Sequence, residues 1–315
     1  MQKTIDLDRS IERASRRDGL RKYWRRNGLA YWLILPSLLF LLAIEFYPLG
    51  VGLIESLYYH NRVQPFLTRF NGLENFAKAL GDFNVRLSLR TSALMVVGIV
   101  GFSYLLGLIA GLLLNQNLRL RGVYRALILV PWVVPPIVSF ISWQWMLNDQ
   151  SGIVNHTLQQ LGLIKQPILW LAKPDLAMVS IIMVGTWFRF PFMMITVLAA
   201  LSAIPDELYE AGAIDGATTF KLFRHITFPL ILPVSIISTL LQAIWTFNDF
   251  GLPFVLTGGG PANATTPLIL LAYKEAFQRF NIGYGTSLAV LAMIFMLGLG
   301  AIYMRLQSRQ GIYEL

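Results

Sequence analysis

Residues 200–233 read ALSAIPDELYEAGAIDGATTFKLFRHITFPLILP and lie between two long apolar runs, 176–201 and 230–256. Pro205 suits the first turn of a helix, where its missing N–H is not needed. Asp206 and Glu207 complement the positive end of that helix, and Glu210, Ala211, Ala213 and Ile214 continue it. Gly216 is placed to break it. Phe220, Leu222, Phe223 and Ile226 then predict a second short helix with an apolar side, and Pro229 and Pro233 open the next apolar run. The segment reads as a knob of two short helices joined by a glycine turn, set between membrane spans.

Outward from the knob the chain is greasy. It has 315 residues, 55% hydrophobic and 14% charged, against about 25% charged in soluble domains, and its mean hydropathy is +0.57. Six apolar segments stand out, at 29–57, 91–114, 123–147, 176–201, 230–256 and 284–306. Each is long enough to cross about 30 Å of hydrocarbon at about 1.5 Å per residue. The expected fold is therefore all-α and integral to the membrane, with six transmembrane helices. There are no cysteines, which excludes disulfides, thiolate metal sites and Cys nucleophiles.

Lys and Arg set the expected orientation. Nine fall in residues 1–28, three in 116–125 and two in 202–228. On the other side five fall in 59–90, two in 148–175 and two in 257–283. The excess beside the first span predicts both termini in the cytoplasm, with 202–229 a cytoplasmic loop and 307–315 a cytoplasmic tail. The formal charge of +9 is then accounted for by topology, and nucleic acid is not an expected partner. Residues 1–28 are too long and too charged for a cleaved signal. They read either as an interfacial amphipathic helix, through Ile5, Ile11, Leu20, Tyr23 and Trp24, or as a basic anchor. Gly107 and Gly111 predict close helix contact, and Pro131, Pro135 and Pro136 predict a kink in the third span.

The knob resembles the EAA loop of binding-protein-dependent ABC importer permeases, whose pattern is Glu-Ala-Ala, three residues, Gly, nine residues, Ile, one residue, Leu-Pro. Glu210, Ala211, Gly216, Ile226 and Pro229 match; Gly212 stands where Ala is usual and Phe228 where Leu is usual. FNGLENFAKAL (70–80), WQWMLNDQSGIVN (143–155), LTGGGPANATTPL (256–268) and YGTSLAV (284–290) look like the carbohydrate-type branch, which serves maltose, other oligosaccharides and glycerol 3-phosphate. Within it the chain is more similar to the first of the two paired permeases. The resemblance implies a type I importer fold in a bacterial cytoplasmic (inner) membrane. It implies a second homologous permease subunit, an ATPase homodimer carrying ATP and Mg, and an extracytoplasmic solute-binding protein. It also implies that Glu210, Ala211, Gly212, Asp215, Gly216, Ala217, Phe220 and Phe223 couple the chain to that ATPase. By helix propensity, Gly212 in place of Ala is expected to loosen the first short helix.

This chain is not itself expected to be an enzyme or to bind a cofactor. Gly258-Gly259-Gly260-Pro261 lacks the lysine of a phosphate-binding loop, and His60, His156 and His225 are scattered, so no catalytic or metal-binding set is expected. Ionisable side chains within spans usually face protein or a wet cavity. Arg189 lies in the fourth span beside Pro191, and Gln242, Trp245, Asn248 and Asp249 lie in the outer fifth span. With Trp187 they could line a path for a sugar-like solute. The other reading is an internal Arg189–Asp249 pair or contacts to the partner permease. The alternatives in function are an ABC permease for a non-sugar solute, or a secondary transporter or channel.

Overall fold

The computed structural model describes residues 28–29 and 31–309. The expected N-terminal anchor or interfacial helix therefore lies, but for Gly28, outside the described residues, as does the tail beyond Arg309. The described residues divide into two compact units, one ending at Glu55 and one beginning at Ser56. In the first, one helix runs from Tyr31 to Glu55. Its Leu42–Phe46 stretch is a π-helical turn. Pro48 follows closely; it lacks an N–H and crowds the carbonyl four residues back, which favours such a widened turn.

The second unit holds the remaining spans. The second is a helix of 33 residues, Phe83–Asn115, and the fourth is Pro174–Ser202. These two pack together more extensively than any other pair. A Cβ on Gly107 would lie 2.5 Å from Met193 Cβ and 2.8 Å from Met194 N, and one on Gly111 would lie 3.0 Å from a Val197 methyl. The paired residue numbers rise together, so the two helices run in the same direction.

The second span begins earlier than its apolar core. Asp82 caps it, accepting the Asn84 N–H at 2.8 Å. Tyr284 Oη, at the start of the sixth span, donates to Asp82 Oδ2 at 2.8 Å. Burial pushes the Asp82 carboxyl up, but these hydrogen bonds and the Lys78 charge outweigh it, so the group sits below its usual range. The starts of the two spans are thereby pinned together.

The third apolar segment is not one kinked helix. It is two helices, Arg121–Val133 and Pro136–Met146, bent by 90°. The residue before a proline is pushed out of the helical region, and Val134 is extended at ψ 136°. Pro135 follows at ψ 133°. Two prolines in succession also remove two donors that a break would otherwise leave unpaired. Pro131 and Pro191, each alone, stay inside their helices. The first half packs Ile128 and Leu129 against Leu114, Met194 and Leu198; the second half packs against a short helix, Gly251–Thr257.

The fifth span differs at both ends from the run expected at 230–256. It is one helix from Thr219 to Phe247, with a π-helical turn at Phe223–Thr227. No separate second helix exists in the knob: Phe220 to Ile226 are the first turns of the span itself. At the other end the helix stops at Phe247, and Asn248–Phe250 connect it to Gly251–Thr257. Tyr104 Oη donates to Ser235 Oγ at 3.0 Å, tying the fifth span to the second. The sixth is Ile282–Arg309.

The Gly107 contact is backbone to backbone, so no side-chain rotation can relieve it. Gly107→Ala should destabilise the detergent-solubilised protein by about 1–3 kcal/mol. Gly101, on the same helix, has nothing within 4 Å of its Cβ position, so Gly101→Ala should leave thermal unfolding unchanged or slightly raised.

Candidate functional site

The knob is built on the helix Asp206–Ile214, with Asp206 and Glu207 in its first turn. Pro205 is its N-cap, one position earlier than expected. Gly216 has φ +76°, the left-handed turn that glycine accepts without strain. Ala217 N–H bonds back to Gly212 C=O at 2.9 Å, and Gly216 N–H to Ala213 C=O at 3.0 Å, which satisfies the last carbonyls. Thr218 then caps the fifth span.

Gly212 does not loosen this arrangement. A Cβ there would lie 2.6 Å from a Leu222 methyl and 3.2 Å from an Ile226 methyl. Its bare face lets the knob helix lie directly on the start of the fifth span. Tyr209 Oη and Thr227 Oγ1 close the same seam at 3.0 Å.

What remains outward is a small mixed patch. Glu210, Ala211 and Asp215 are exposed, Ala217 is half-buried, Phe220 is 69% exposed and Ile214 is 87% exposed. Phe223, named with Phe220 as a coupling residue, is half-buried and packs against Phe228, with ring centres 6.0 Å apart. Ile214 was not among the expected docking residues. Its position just before the glycine turn was the available signal.

The polar residues of the spans divide into those that meet and those that do not. Arg189 Nη2 lies 2.5 Å from Asp249 Oδ2, with the side chains 12% and 11% exposed. Arg189 Nε also donates to Thr246 Oγ1 at 3.2 Å. Asp249 has left the helix, and its other oxygen accepts the Leu252 N–H at 3.0 Å, capping Gly251–Thr257. One carboxylate thus neutralises a cation and starts a helix.

Gln242 and Trp245 do not join this cluster. Gln242 is 1% exposed, and neither of its amide atoms has a partner among the described residues. Trp245 is half-exposed and meets Phe192 edge-on at 5.2 Å; Phe192 meets Trp132 at 6.0 Å. Asn248 turns back to the Ile244 carbonyl. Trp187 meets Trp143 edge-on at 5.4 Å. Thr246 was missed by sequence reasoning, although positions 242, 246 and 249 follow helical spacing.

Residues 103–310 match the model of the family described as "Binding-protein-dependent transport system inner membrane component". The trehalose/maltose transport system permease protein of Thermococcus litoralis is 36% identical over 284 residues, covering 90% of this chain and 94% of that one. The sn-glycerol-3-phosphate transport system permease protein of Pectobacterium atrosepticum is 30% identical over 299 residues, covering 93% and 99%. A solved bacterial ABC transporter involved in import of the acidic polysaccharide alginate has the same fold, with a TM-score of 0.77 at 21% identity, covering 91% of this chain and 98% of that one.

Removing one partner of a nearly buried ion pair strands the other charge, at about 3–5 kcal/mol. Asp249→Asn should therefore lower the unfolding midpoint sharply. The double variant Arg189→Met with Asp249→Asn should recover part of that loss, because the cation is gone. A double-mutant cycle by thermal unfolding checks this, and strict additivity would contradict it.

Proposed function

Because the chain belongs to the family of binding-protein-dependent transport system inner membrane components, we propose that it forms half of the transmembrane pathway of an ATP-driven importer for a sugar-like solute. It is a multi-pass inner-membrane permease. The sugar-like class draws support from relatives that carry trehalose/maltose and sn-glycerol 3-phosphate in their names.

In this reading a second homologous permease supplies the other half of the pathway. An extracytoplasmic binding protein presents the solute, and a pair of ATPase subunits holds ATP and Mg. The nine Lys and Arg of residues 1–28 favour a cytoplasmic N-terminus, which places the knob on the ATPase side. Glu210, Ala211, Gly212, Asp215, Gly216, Ala217, Phe220 and Phe223 form or support the docking surface. Phe223 supports it by packing against Phe228, and Ile214 joins Phe220 as an apolar anchor.

The observation that carries the coupling is continuity. Phe220 and Thr246 belong to one helix, Thr219–Phe247, about 43 Å long at about 1.5 Å per residue. A push on the knob at one end moves Thr246, and with it the Arg189–Asp249 pair, at the other. The solute path in this reading runs beside that pair, with Trp187, Gln242, Trp245 and Asn248 around it. The amide of buried Gln242, without a partner among the described residues, marks a place where polar partners arrive by rearrangement or by water.

The experiment is the assembled importer carrying Ile214→Asp with Phe220→Ser, or Glu210→Lys. Both should leave this chain in the membrane at normal levels, while co-purified ATPase and solute uptake fall by roughly tenfold or more, the loss expected for apolar hot-spot anchors. Normal ATPase recovery and uptake in both would remove the coupling role.

A further inference from the structure

Beyond the end of the fifth span remote from the knob lies a cavity of a different character. Two other grooves in the second unit are almost wholly apolar, one of about 380 Å³ around Phe250 and Tyr273 and one of about 470 Å³ around Val97 and Phe247. This one, of about 580 Å³, is more polar than apolar. Gln144, Trp145, Asn148, Ser151 and Thr257 line it over two leucines. It is formed by the Pro136–Met146 half-span, the turn after it and the Gly251–Thr257 helix.

Its polar groups are held in place and only partly used. Gln144 Nε2 donates to Val255 C=O at 2.7 Å, leaving the amide oxygen without a protein partner among the described residues. Asn148 Oδ1 accepts from Gln150 N, Ser151 N and Ser151 Oγ at 2.9–3.0 Å, leaving its NH₂ group as a donor. Trp145 is 75% exposed. The site therefore offers a fixed acceptor, a fixed donor and a large open ring. None of its lining side chains is charged.

Paired amide contacts suit adjacent hydroxyls, and an indole face suits the C–H face of a sugar ring. An uncharged lining gives no compensation for a phosphate or carboxylate. We infer that this cavity is an outer holding site for a neutral saccharide, one short helix away from the Arg189–Asp249 pair. The Gly251–Thr257 helix connects them, with Asp249 capping its start and Thr257 lining the cavity at its end. The inference rests on the solute class proposed above.

The test uses the complete importer in nanodiscs and in proteoliposomes, with trehalose, maltose and glucose as probes and sn-glycerol 3-phosphate as the anionic control. At least one neutral sugar should change tryptophan fluorescence saturably, and glycerol 3-phosphate should not. Trp145→Phe should abolish that signal. Asn148→Leu should raise the half-saturating concentration for binding and uptake roughly tenfold, as expected for one lost contact, with the maximal ATPase rate unchanged. If the wild type imports a sugar but both variants bind and import it normally, the holding site is wrong and the solute class stands. If Trp145→Phe lowers only thermal stability, the ring is a membrane-interface anchor and the holding site is again wrong. If the wild type imports none of the sugars, the solute class itself falls.

Discussion

At Gly107 the second and fourth spans meet backbone to backbone, and the third and fifth spans rest on that pair. In a bilayer the lipid tails are as apolar as the side chains, so association relies on close packing and polar contacts rather than on escape from water. A helix pair that touches over most of its length is therefore a platform. The first half of the third segment leans on one part of it, through Ile128 and Leu129 against Met194 and Leu198. The fifth span leans on another, through Tyr104 and Ser235. Arg189 sits about one helical turn from Met193, so the close approach also fixes where the buried cation stands and which part of the fifth span it can reach.

The second constraint is that buried backbone groups need partners. It explains why the chain breaks where it does. The Val134–Pro135 corner lies where two prolines lack donors. The Asn248–Phe250 break is capped by Asp249, whose free oxygen takes up the next helix's Leu252 N–H. A polar group inside a span is then not an isolated expense. Asp249 balances Arg189, Arg189 engages Thr246, and the break that brings Asp249 within reach is closed by the same carboxylate.

The sequence made some of this legible and hid the rest for physical reasons. Long apolar runs mark helices because hydrocarbon thickness demands them, and Gly107 and Gly111 mark a close crossing because only a missing Cβ permits it. The knob's first helix and its Gly216 turn were readable from local chemistry. The start of the fifth span was not. Pro229 and Pro233 look like an entry to a helix, yet the π turn at Phe223–Thr227 carries the helix through, and that depends on hydrogen-bond register rather than composition. The third segment's prolines foretold a bend but not a right angle, which depends on ψ at Val134. In the membrane site, Gln242, Trp245 and Asp249 share a face only if the helix continues. It ends at Phe247, so Asp249 turns to Arg189 while Trp245 faces Phe192, and Thr246 becomes the helical residue that touches the arginine.

Gly212 shows how a local weakness becomes a packing device. In an isolated helix, glycine in place of alanine costs about 1 kcal/mol through chain entropy. Here the missing methyl is the space occupied by Leu222 and Ile226, and Tyr209 bonds to Thr227 beside it. Those contacts join the knob helix to the first turns of the fifth span. In the proposed coupling, a loosely tethered knob would absorb a push by swinging about Gly216. Under the proposed coupling, a knob seated on Leu222 and Ile226 would pass the push into the helix Thr219–Phe247, which ends beside Arg189 and Asp249. The departure from alanine at Gly212 therefore trades helix propensity for a tighter seam, and the seam joins the knob helix to the span that carries Thr246 near its far end.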